Sequence, residues 1–391
     1  MIVQPAKVLL PKVKEPHKFA VIACDQFSGQ PEYWRKLEAL VGDAPSALNL
    51  ILPEAYLHSA LKGAPERLAA NMNAFLKSGA VQEIDGYILT ERTQPDGRIR
   101  LGLIAAIDLA EYEYTPKNTA RIKATERTDE DRLPPRVKIR ERAPLEIPHI
   151  MVLFDDPRQS VLEKPYAKAK QNVCKACKSD CAGIKPLYDF ELNMGGGHLR
   201  GWSVPQKEAE KITAGLTALE RDGVLFVVGD GNHSLAAAKQ CGHSRALVEL
   251  VNIHSAALDF EPIHRIIFGA GEEFIKLLQK ELKGSVPLKI YYGGKYSEAR
   301  LSSNAADAIA DIQNLTDKYL AGNKRASIEY VHGDNHLLTV ADRDGAVAIF
   351  MPKIEKHGLF DYVSRRGVLP RKAFSMGHAE DKRYYFEMKL I

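Results

Sequence analysis

The sequence lacks any continuous apolar run of about 18 residues, the length that a membrane-spanning helix needs. Its first residues also lack the charged-then-apolar pattern of a secretion signal. Five cysteines in a chain of 391 residues are too few for a disulfide framework. Together these absences predict a soluble, cytoplasmic protein that does not enter a membrane.

A large excess of one charge is missing too. The chain carries 54 basic and 50 acidic residues, a net charge of +4, which excludes attraction of a polyanion by the whole molecule. No helix-turn-helix pattern is visible, and this also argues against a nucleic-acid partner. We therefore expect a small-molecule substrate and a nucleotide as partners, and a homo-oligomer stays open.

The most informative stretch runs from Val224 to Gly242. Five apolar residues, Val224 to Val228, predict a buried strand, and the Ala-rich run that starts at Leu235 predicts a helix ending before Gly242. The polar loop between them reads Gly229-Asp230-Gly231-Asn232-His233-Ser234. This order predicts a strand, a tight turn and the N-terminus of a helix.

A helix N-terminus favours an anion, because its first backbone N–H groups are unpaired and the helix dipole is positive there. Gly231 would let the backbone approach a phosphate closely, and Asn232 and Ser234 would line the same spot. Asp230 and His233 are placed for proton transfer or metal contact. An ordinary turn with Asn232 or Ser234 as the helix cap explains the spacing equally well.

Asp25 is a second candidate for catalysis. It follows a predicted strand, Phe19–Cys24, at a position that suits either a catalytic carboxylate or a cap of the next helix.

Farther along, the predicted helix from Val161 to Asp180 carries Cys174, Cys177 and Cys181 on one face. Three thiols could bind a metal ion, but a fourth ligand is not obvious, so we favour unliganded cysteines and predict no metal site.

A basic segment lies between Ala120 and Arg142, where eight basic residues outnumber five acidic ones. Pro134-Pro135 predicts that no helix runs through its middle. Arg136 and Arg140 alternate at period two with Lys138 and Arg142, which in an extended segment places all four on one face. The pattern fits a solvated edge strand or a clamp for phosphate.

Other basic side chains are candidates for phosphate or nucleotide binding. His198 follows three glycines that could form a turn or an anion-binding nest. His264 and Arg265 stand directly before an apolar run, and Arg371 lies in a basic segment beside a proline near the end of the chain. His149 lies near the start of the stretch Pro148–Pro157, which predicts a buried strand ending in two carboxylates.

The order of elements predicts an α+β (mixed α/β) fold with mixed sheets flanked by helices. We expect a mixed α/β region over residues 1–118, a phosphate- or nucleotide-binding core over 119–268, and a C-terminal α/β region over 269–391. Strands are predicted near Ser327–Val331 and Leu337–Ala341 in that last region. Its tail, residues 367–391, is expected to return to the core.

A set of ordered motifs resembles the family catalogued as domain of unknown function 1015. The resemblance extends from about Val21 to the C-terminus, and the family name implies no biochemistry. The motifs are Cys24-Asp25-Gln26-Phe27, Pro31-Glu32-Tyr33-Trp34, Pro134-Pro135-Arg136, Pro148-His149-Ile150-Met151, Met194-Gly195-Gly196-Gly197-His198, Asp230-Gly231-Asn232-His233, Pro262-Ile263-His264-Arg265 and Leu369-Pro370-Arg371-Lys372.

The loop at Asp230 also resembles the phosphate loop of the ParB/sulfiredoxin-like superfamily, which includes free-serine kinases. The kinase branch usually reads Asp-Gly-His-His-Arg, so Asp230, Gly231 and His233 match, whereas Asn232 and Ser234 depart. The resemblance implies a nucleotide-binding core. It also implies that another arginine replaces the phosphate contact missing at Ser234, and the candidates are Arg136, Arg140 and Arg265.

These observations lead to the hypothesis of nucleotide-dependent phosphoryl transfer to or from a small hydroxyl metabolite, with ATP or ADP and optionally Mg²⁺ as cofactors. By resemblance, free serine or phosphoserine is the favoured example. Asp25, Asp230 and His233 would be catalytic. A phosphatase acting on a phosphorylated amino acid and a non-catalytic nucleotide-binding regulator remain open, and a sulfiredoxin-like redox role is weaker because the loop contains no cysteine.

Overall fold

A computed structural model describes residues 1–22, 27, 30–57, 59–116, 118–175 and 185–391. The predicted catalytic residue Asp25 lies outside the described residues. The same holds for Cys177 and Cys181, and for the side chain of Cys174. Within the described residues, no helix is both long enough and apolar enough to cross a membrane.

The helices are α1 (Pro16–Phe19), α2 (Pro31–Val41), α3 (Ala64–Lys77), α4 (Leu133–Arg140), α5 (Glu163–Lys175), α6 (Gln206–Thr217), α7 (Asn232–Gln240), α8 (Glu272–Glu281), α9 (Ala305–Gly322), α10 (Asp334–Asp344) and α11 (Leu359–Arg366). The strands of the first two thirds are β1 (Val3–Gln4), β2 (Ala6–Pro11), β3 (Val81–Gly86), β4 (Ile88–Thr93), β5 (Ile99–Asp108), β6 (Tyr112–Glu113), β7 (Ile122–Ala124), β8 (Leu145–Glu146), β9 (Met151–Phe154), β10 (Lys185–Glu191), β11 (His198–Ser203), β12 (Phe226–Asp230) and β13 (Arg245–Asn252). The later strands are β14 (Phe260–Phe268), β15 (Val286–Tyr292), β16 (Lys295–Leu301), β17 (Ser327–His332), β18 (Val347–Ile349), β19 (Phe374–Met376) and β20 (Lys389–Leu390).

The chain divides into two compact units. The first consists of residues 1–258, 360–367 and 377–391, and the second of 259–359 and 368–376. The first unit contains a mixed sheet in the order β10-β11-β4-β5-β13-β9-β12-β7-β6, with β1 paired to β5. The inner strands β9 and β13 are buried along nearly their whole length, as expected for strands covered on both faces.

The second unit contains its own sheet, in the order β16-β15-β18-β14-β17, and β19 adds to the end of β14. Helices α8, α9 and α10 belong to this unit. Their buried residues are mostly apolar and include Phe274, Ile309 and Leu337. With its large mixed sheet and flanking helices, the structure confirms the predicted mixed α/β class.

The strand, turn and helix predicted around Asp230 are present as β12 and α7. Local signals were sufficient here, because the apolar run, the glycines and the Ala-rich run all favour the same arrangement. The helix ends at Gln240, and Gly242 follows it with a φ of +75°. This is the position after a helix where glycine is favoured.

Three local predictions were wrong. The segment with Arg136 is helix α4 and not a basic edge strand, because Pro134 and Pro135 occupy the first turn, where a missing N–H removes no helical hydrogen bond. Residues Leu337–Ala341 lie within helix α10, which ends at Gly345 in the left-handed conformation. At the expected strand Phe19–Cys24, Phe19 is instead the end of α1, and among the described residues that follow it Val21 forms an isolated bridge.

Candidate functional site

Three segments meet at one edge of the large sheet. Strand β7 is parallel to β12, so residues 125–129 and 230–234 leave the sheet at the same side. Strand β9 runs antiparallel to β12, and its first residue, Met151, is paired with Asp230. The residues before Met151 therefore lie at this edge too. Ligands of open α/β sheets commonly bind outside the carboxyl ends of strands, which makes this edge the candidate site.

Gly231 makes the turn from β12 into α7. Its φ is +85°, and a Cβ atom there would stand 2.9 Å from Cγ1 and 3.1 Å from Cα of Ile150. Both the backbone conformation and the lack of space require glycine. The Gly231 N–H donates to Oδ1 of Asp230 at 2.9 Å, and this bond fixes the carboxylate beside the start of the helix.

Replacing Gly231 by alanine is expected to lower the free energy of unfolding by at least about 2 kcal/mol, from the left-handed φ and the contact with Ile150 combined. The matched control is Gly223→Ala, where φ is +73° but nothing lies within 4 Å of the added Cβ. Urea unfolding of both variants measures the difference. Equal losses at the two positions would show that the contact with Ile150 is not tight.

Asp230 forms an ion pair with a lysine from the C-terminal segment. Nζ of Lys382 lies 3.3 Å from Oδ2 of Asp230, and the lysine side chain is only 10% exposed. The neighbouring Arg383 donates through Nη1 to the carbonyl oxygen of Ile150 at 3.2 Å. The hydroxyl of Tyr385 is 2.8 Å from Nδ1 of His149. The C-terminal segment thus contacts both β12 and the chain before β9.

Sequence reasoning missed Lys382, Arg383 and Tyr385. The only available signal was the expectation that residues 367–391 return to the core, and that expectation named no contact. Lys382 is one of many lysines in the sequence and belongs to no recognisable motif. Its pairing with Asp230 depends on the tertiary fold.

His149 is the titratable group closest in sequence to β9 at this edge. Burial lowers the pKa of His149 below its ordinary value, while Asp230 and Glu54 pull the pKa upward. The imidazole is therefore neutral at physiological pH. Since its Nδ1 contacts the hydroxyl of Tyr385, His149 has one hydrogen-bonding position left for other groups.

His233, in the first turn of α7, faces residue 129. Its Nε2 accepts a hydrogen bond of 3.2 Å from the backbone N–H of Asp129. This nitrogen therefore carries no proton in the structure, and a proton on the ring resides on Nδ1. A transferred phosphoryl group would contact His233 through Nδ1, unless the hydrogen bond from the Asp129 N–H to Nε2 breaks.

Two buried polar atoms at this edge have no hydrogen-bond partner within the described part of the chain, Oδ1 of Asn232 and Oγ1 of Thr128. The amide nitrogen of Asn232 lies 3.4 Å from Oγ1 of Thr125, whose hydroxyl in turn donates to the carbonyl of Val228 at 2.6 Å. Buried polar groups are normally hydrogen-bonded in folded proteins, and a water, an ion or a ligand can satisfy those that have no protein partner. Thr128 and Asn232 lie on the two segments that leave the sheet here, residues 125–129 and 230–234.

Arg136 and Arg140 lie one turn apart on α4 and both are engaged by carboxylates. Arg136 makes a two-oxygen contact with Glu54, at 2.6 Å and 2.5 Å, and Arg132 contacts the same carboxylate. Burial raises the pKa of Glu54, but the two arginines outweigh it and hold that pKa below its ordinary value. Arg140 is paired with Glu146.

Four of the predicted binding residues do not belong to the three segments at this edge. His198 is on β11 and contacts Asp189 at 2.8 Å, with β4, β5, β13 and β9 between its strand and β12. His264, Arg265 and Arg371 belong to the second unit.

Arg265 is fully buried in the second unit and donates to the side chain of Gln313 at 3.1 Å. His264 contacts Asp334 at 2.9 Å, and Arg371 pairs with Asp317 at 3.1 Å. These interactions join strand β14 to helices α9 and α10 and to the segment before β19. They give His264, Arg265 and Arg371 defined structural partners within their own unit.

Few side chains among the described residues could hold a metal ion. Among the described residues, no three His, Cys, Asp or Glu side chains group closely enough to hold a metal ion. At the sheet edge, Asp230 offers one carboxylate and Asn232 one unpaired oxygen. Mg²⁺ commonly takes one or two carboxylates and otherwise binds water and substrate phosphates, so these two atoms fit only a magnesium ion that arrives with its substrate.

Comparison with solved structures finds distant likenesses. One is a free serine kinase in complex with AMP, with 10% identity, a TM-score of 0.42, and coverage of 72% of this chain and 90% of the other. A conserved hypothetical protein from Pyrococcus furiosus has 10% identity and a TM-score of 0.38, with the same two coverages of 72% and 90%. SbnI from Staphylococcus aureus, with a C-terminal truncation, has 11% identity, a TM-score of 0.38, and coverage of 67% and 81%.

Comparison with curated proteins finds no match. Comparison with protein families finds one that extends over most of the chain and agrees with the resemblance carried by the ordered motifs. Because the model of the family described as "Protein of unknown function (DUF1015)" matches residues 3–354, the chain belongs to that family.

Proposed function

We propose that the protein transfers a phosphoryl group between a nucleotide, ATP or ADP, and the hydroxyl of a small metabolite, with free serine as the first candidate. The observation that supports this most is the Asp230 carboxylate, held at the N-terminus of α7 and paired with Lys382. A carboxylate, a cation and a helix N-terminus at one point are the groups that phosphoryl transfer requires.

Phosphoryl transfer depends on positioning the reactants and on balancing the charge of the phosphoryl oxygens. The first turn of α7 presents the N–H groups of Asn232 and Ser234 toward its N-terminus, where an anion is favoured. Lys382 adds a full positive charge beside this turn. In the proposed complex these groups bind the transferred phosphate, and Lys382 supplies the cation that is absent at Ser234.

Asp230 is proposed to accept the hydroxyl proton of the metabolite as its oxygen attacks phosphorus. The bond from the hydroxyl oxygen to the transferred phosphorus forms while the bond from that phosphorus to the nucleotide's bridging oxygen breaks. The nucleotide product, ADP from ATP or AMP from ADP, leaves with that electron pair. The carboxylate is 27% exposed and is therefore accessible to a substrate. Asp25 stays an alternative base, and Mg²⁺ bound with the nucleotide would add charge stabilisation.

The direct test is an assay of nucleotide conversion by the purified chain. ATP and ADP are each offered with a panel of small hydroxyl metabolites that begins with free serine, and the products are followed by ³¹P NMR. Phosphoserine is then supplied with and without nucleoside diphosphate. Loss of phosphate that needs no nucleotide would identify a phosphatase, and absence of nucleotide binding together with absence of turnover would contradict the proposal.

Lys382→Met is expected to weaken nucleotide binding by about 10- to 100-fold, because a charge-assisted hydrogen bond to phosphate is lost. Lys382→Arg should retain part of the affinity, since it keeps the charge. The control is Lys211→Met, which removes a lysine that is 60% exposed and pairs only with Glu208 and solvent among its described contacts. Calorimetric titration with ATP and ADP measures all three variants. Unchanged affinity in Lys382→Met would remove this lysine from the site.

A further inference from the structure

A cavity separate from the Asp230 edge lies in the first unit, at the opposite end of α7. Its volume is about 310 Å³, near the lower limit for pockets that bind small molecules. It is formed by the start of β2, the end of α4, the start of β13 and the C-terminal strand β20. Its lining includes five basic side chains from these elements: Lys7, Arg140, His243, Arg245 and Lys389.

Two nitrogen atoms in this lining are buried and have no hydrogen-bond partner within the described residues. They are Nε of Arg140 and Nε2 of His243. Burial lowers the pKa of His243, and the nearby Arg140 lowers it further, so the ring is neutral and can donate from one nitrogen. Buried polar atoms are normally satisfied, and a ligand with acceptor oxygens would satisfy both.

The basic side chains at the mouth of the cavity are only weakly engaged. Lys7 pairs with Glu83 at 3.4 Å, and both side chains are largely exposed. Arg245 is 3.9 Å from Asp108 at its nearest oxygen, and its Nη1 donates to the carbonyl oxygen of Met1 at 3.3 Å. Exposed ion pairs contribute little to stability, so Lys7 can turn toward a bound anion with little loss. Arg245 can exchange its long contact with Asp108 for a shorter one with the anion while its bond to Met1 is kept.

Deeper in the cavity, two cations share a single carboxylate. Arg140 and Lys389 both contact Glu146, whose side chain is 1% exposed. Among the lining side chains the cations Lys7, Arg140, Arg245 and Lys389 outnumber the one acidic group, Asp85. The carboxylates that pair with these cations, Glu83, Asp108 and Glu146, are not part of the lining. The nearby carboxyl ends of α4 and α7 would by themselves disfavour an anion. If the basic side chains served only to cap the carboxyl ends of α4 and α7, no cavity would be needed. Arg140 Nε and His243 Nε2 would then remain without hydrogen-bond partners.

We infer that this cavity binds a small doubly charged anion, the phosphate group or the two carboxylates of a metabolite, as a second site separate from Asp230. The nine residues of α7, Asn232–Gln240, lie between the two places and correspond to about 14 Å of helix. Oxygen atoms of the ligand would accept from Arg140 Nε and His243 Nε2. The inference does not depend on the proposed phosphoryl transfer.

The test uses the imidazole resonance of His243 in the full chain with ¹³C-labelled histidine, assigned by its loss in His243→Gln. Inorganic phosphate and succinate are titrated separately against chloride of equal ionic strength. We expect a saturable shift of this resonance with at least one of the two anions, and the stronger of them identifies the ligand class. No saturable shift with either anion would overturn the inference.

A charge variant separates this site from general attraction of anions. Lys7→Gln combined with Arg245→Gln should weaken the shift-derived affinity by about tenfold or more. The control removes the same charge elsewhere, by Lys276→Gln with Lys280→Gln, two largely exposed lysines of α8. It should leave the affinity unchanged. Equal weakening in both double variants would mean that the shift reports net charge alone and would also overturn the inference.

Discussion

Asp230→Asn is expected to reduce the turnover of phosphoryl transfer by at least about 10²-fold, the usual loss when a general base is removed. The amide has nearly the same size, and its oxygen can still accept the 2.9 Å hydrogen bond from Gly231. The shape of the turn is therefore kept while the proton acceptor and the partner charge of Lys382 are lost. Steady-state kinetics with saturating nucleotide and metabolite measure the change.

The matched control for this variant is Asp43→Asn, at an exposed aspartate just after α2. It changes the net charge equally and should leave turnover unchanged. Thermal unfolding of both variants checks that the fold is kept. If Asp230→Asn retains full turnover while folded, Asp230 is not the base, and the role passes to Asp25 or to another group.

The sequence was a good guide at Asp230 because the signals there are local. An apolar run, a glycine turn and an Ala-rich run specify a strand and a helix without help from the rest of the chain. The error at Arg136 was local too. Prolines break a helix only when they lie in its interior, and they are favoured in its first turn. Pro134 and Pro135 occupy the first turn of α4, so the period-two alternation of Arg136 and Arg140 did not belong to a strand.

The surroundings of the site could not be predicted in this way. The partner of Asp230 is Lys382, and the partner of His149 is Tyr385, both from the distant end of the chain. Arg265 was a candidate phosphate contact because it stands before an apolar run, but it is fully buried and donates to Gln313. Pairings between residues far apart in the sequence follow from tertiary packing, which no spacing rule records.

A further consequence of tertiary packing is a buried ionic cluster on strands β4, β5 and β13. Glu249 lies between two arginines: Nη2 of Arg100 and Nε of Arg383 are each 3.7 Å from its Oε2. The hydroxyl of Thr90 donates to Oε1 at 3.3 Å. Arg383 has a second carboxylate, Glu387, at 3.1 Å, whereas within the described residues the ion pair of Arg100 is with Glu249.

Replacing Glu249 by glutamine is therefore expected to lower the free energy of unfolding by about 3–5 kcal/mol, because the buried charge of Arg100 loses its counter-charge. The side chains of Glu249 and Arg100 are 4% and 3% exposed, so water cannot take the place of the carboxylate. Urea unfolding measures the loss. The matched control is Glu83→Gln, which breaks the exposed pair with Lys7 and should change the free energy of unfolding by less than about 1 kcal/mol.

The double variant Glu249→Leu with Arg100→Met tests the same interaction by removing both charges of the buried pair. Removing both charges avoids an unpaired ion in the interior, and apolar side chains of similar volume commonly restore the stability of a broken buried pair. We expect this double variant to be more stable than Glu249→Gln alone. If Glu249→Gln unfolds at the same urea concentration as the unmodified chain, other groups already stabilise the charge of Arg100. One of them is the backbone carbonyl of Asp381, to which Arg100 donates a hydrogen bond of 2.6 Å.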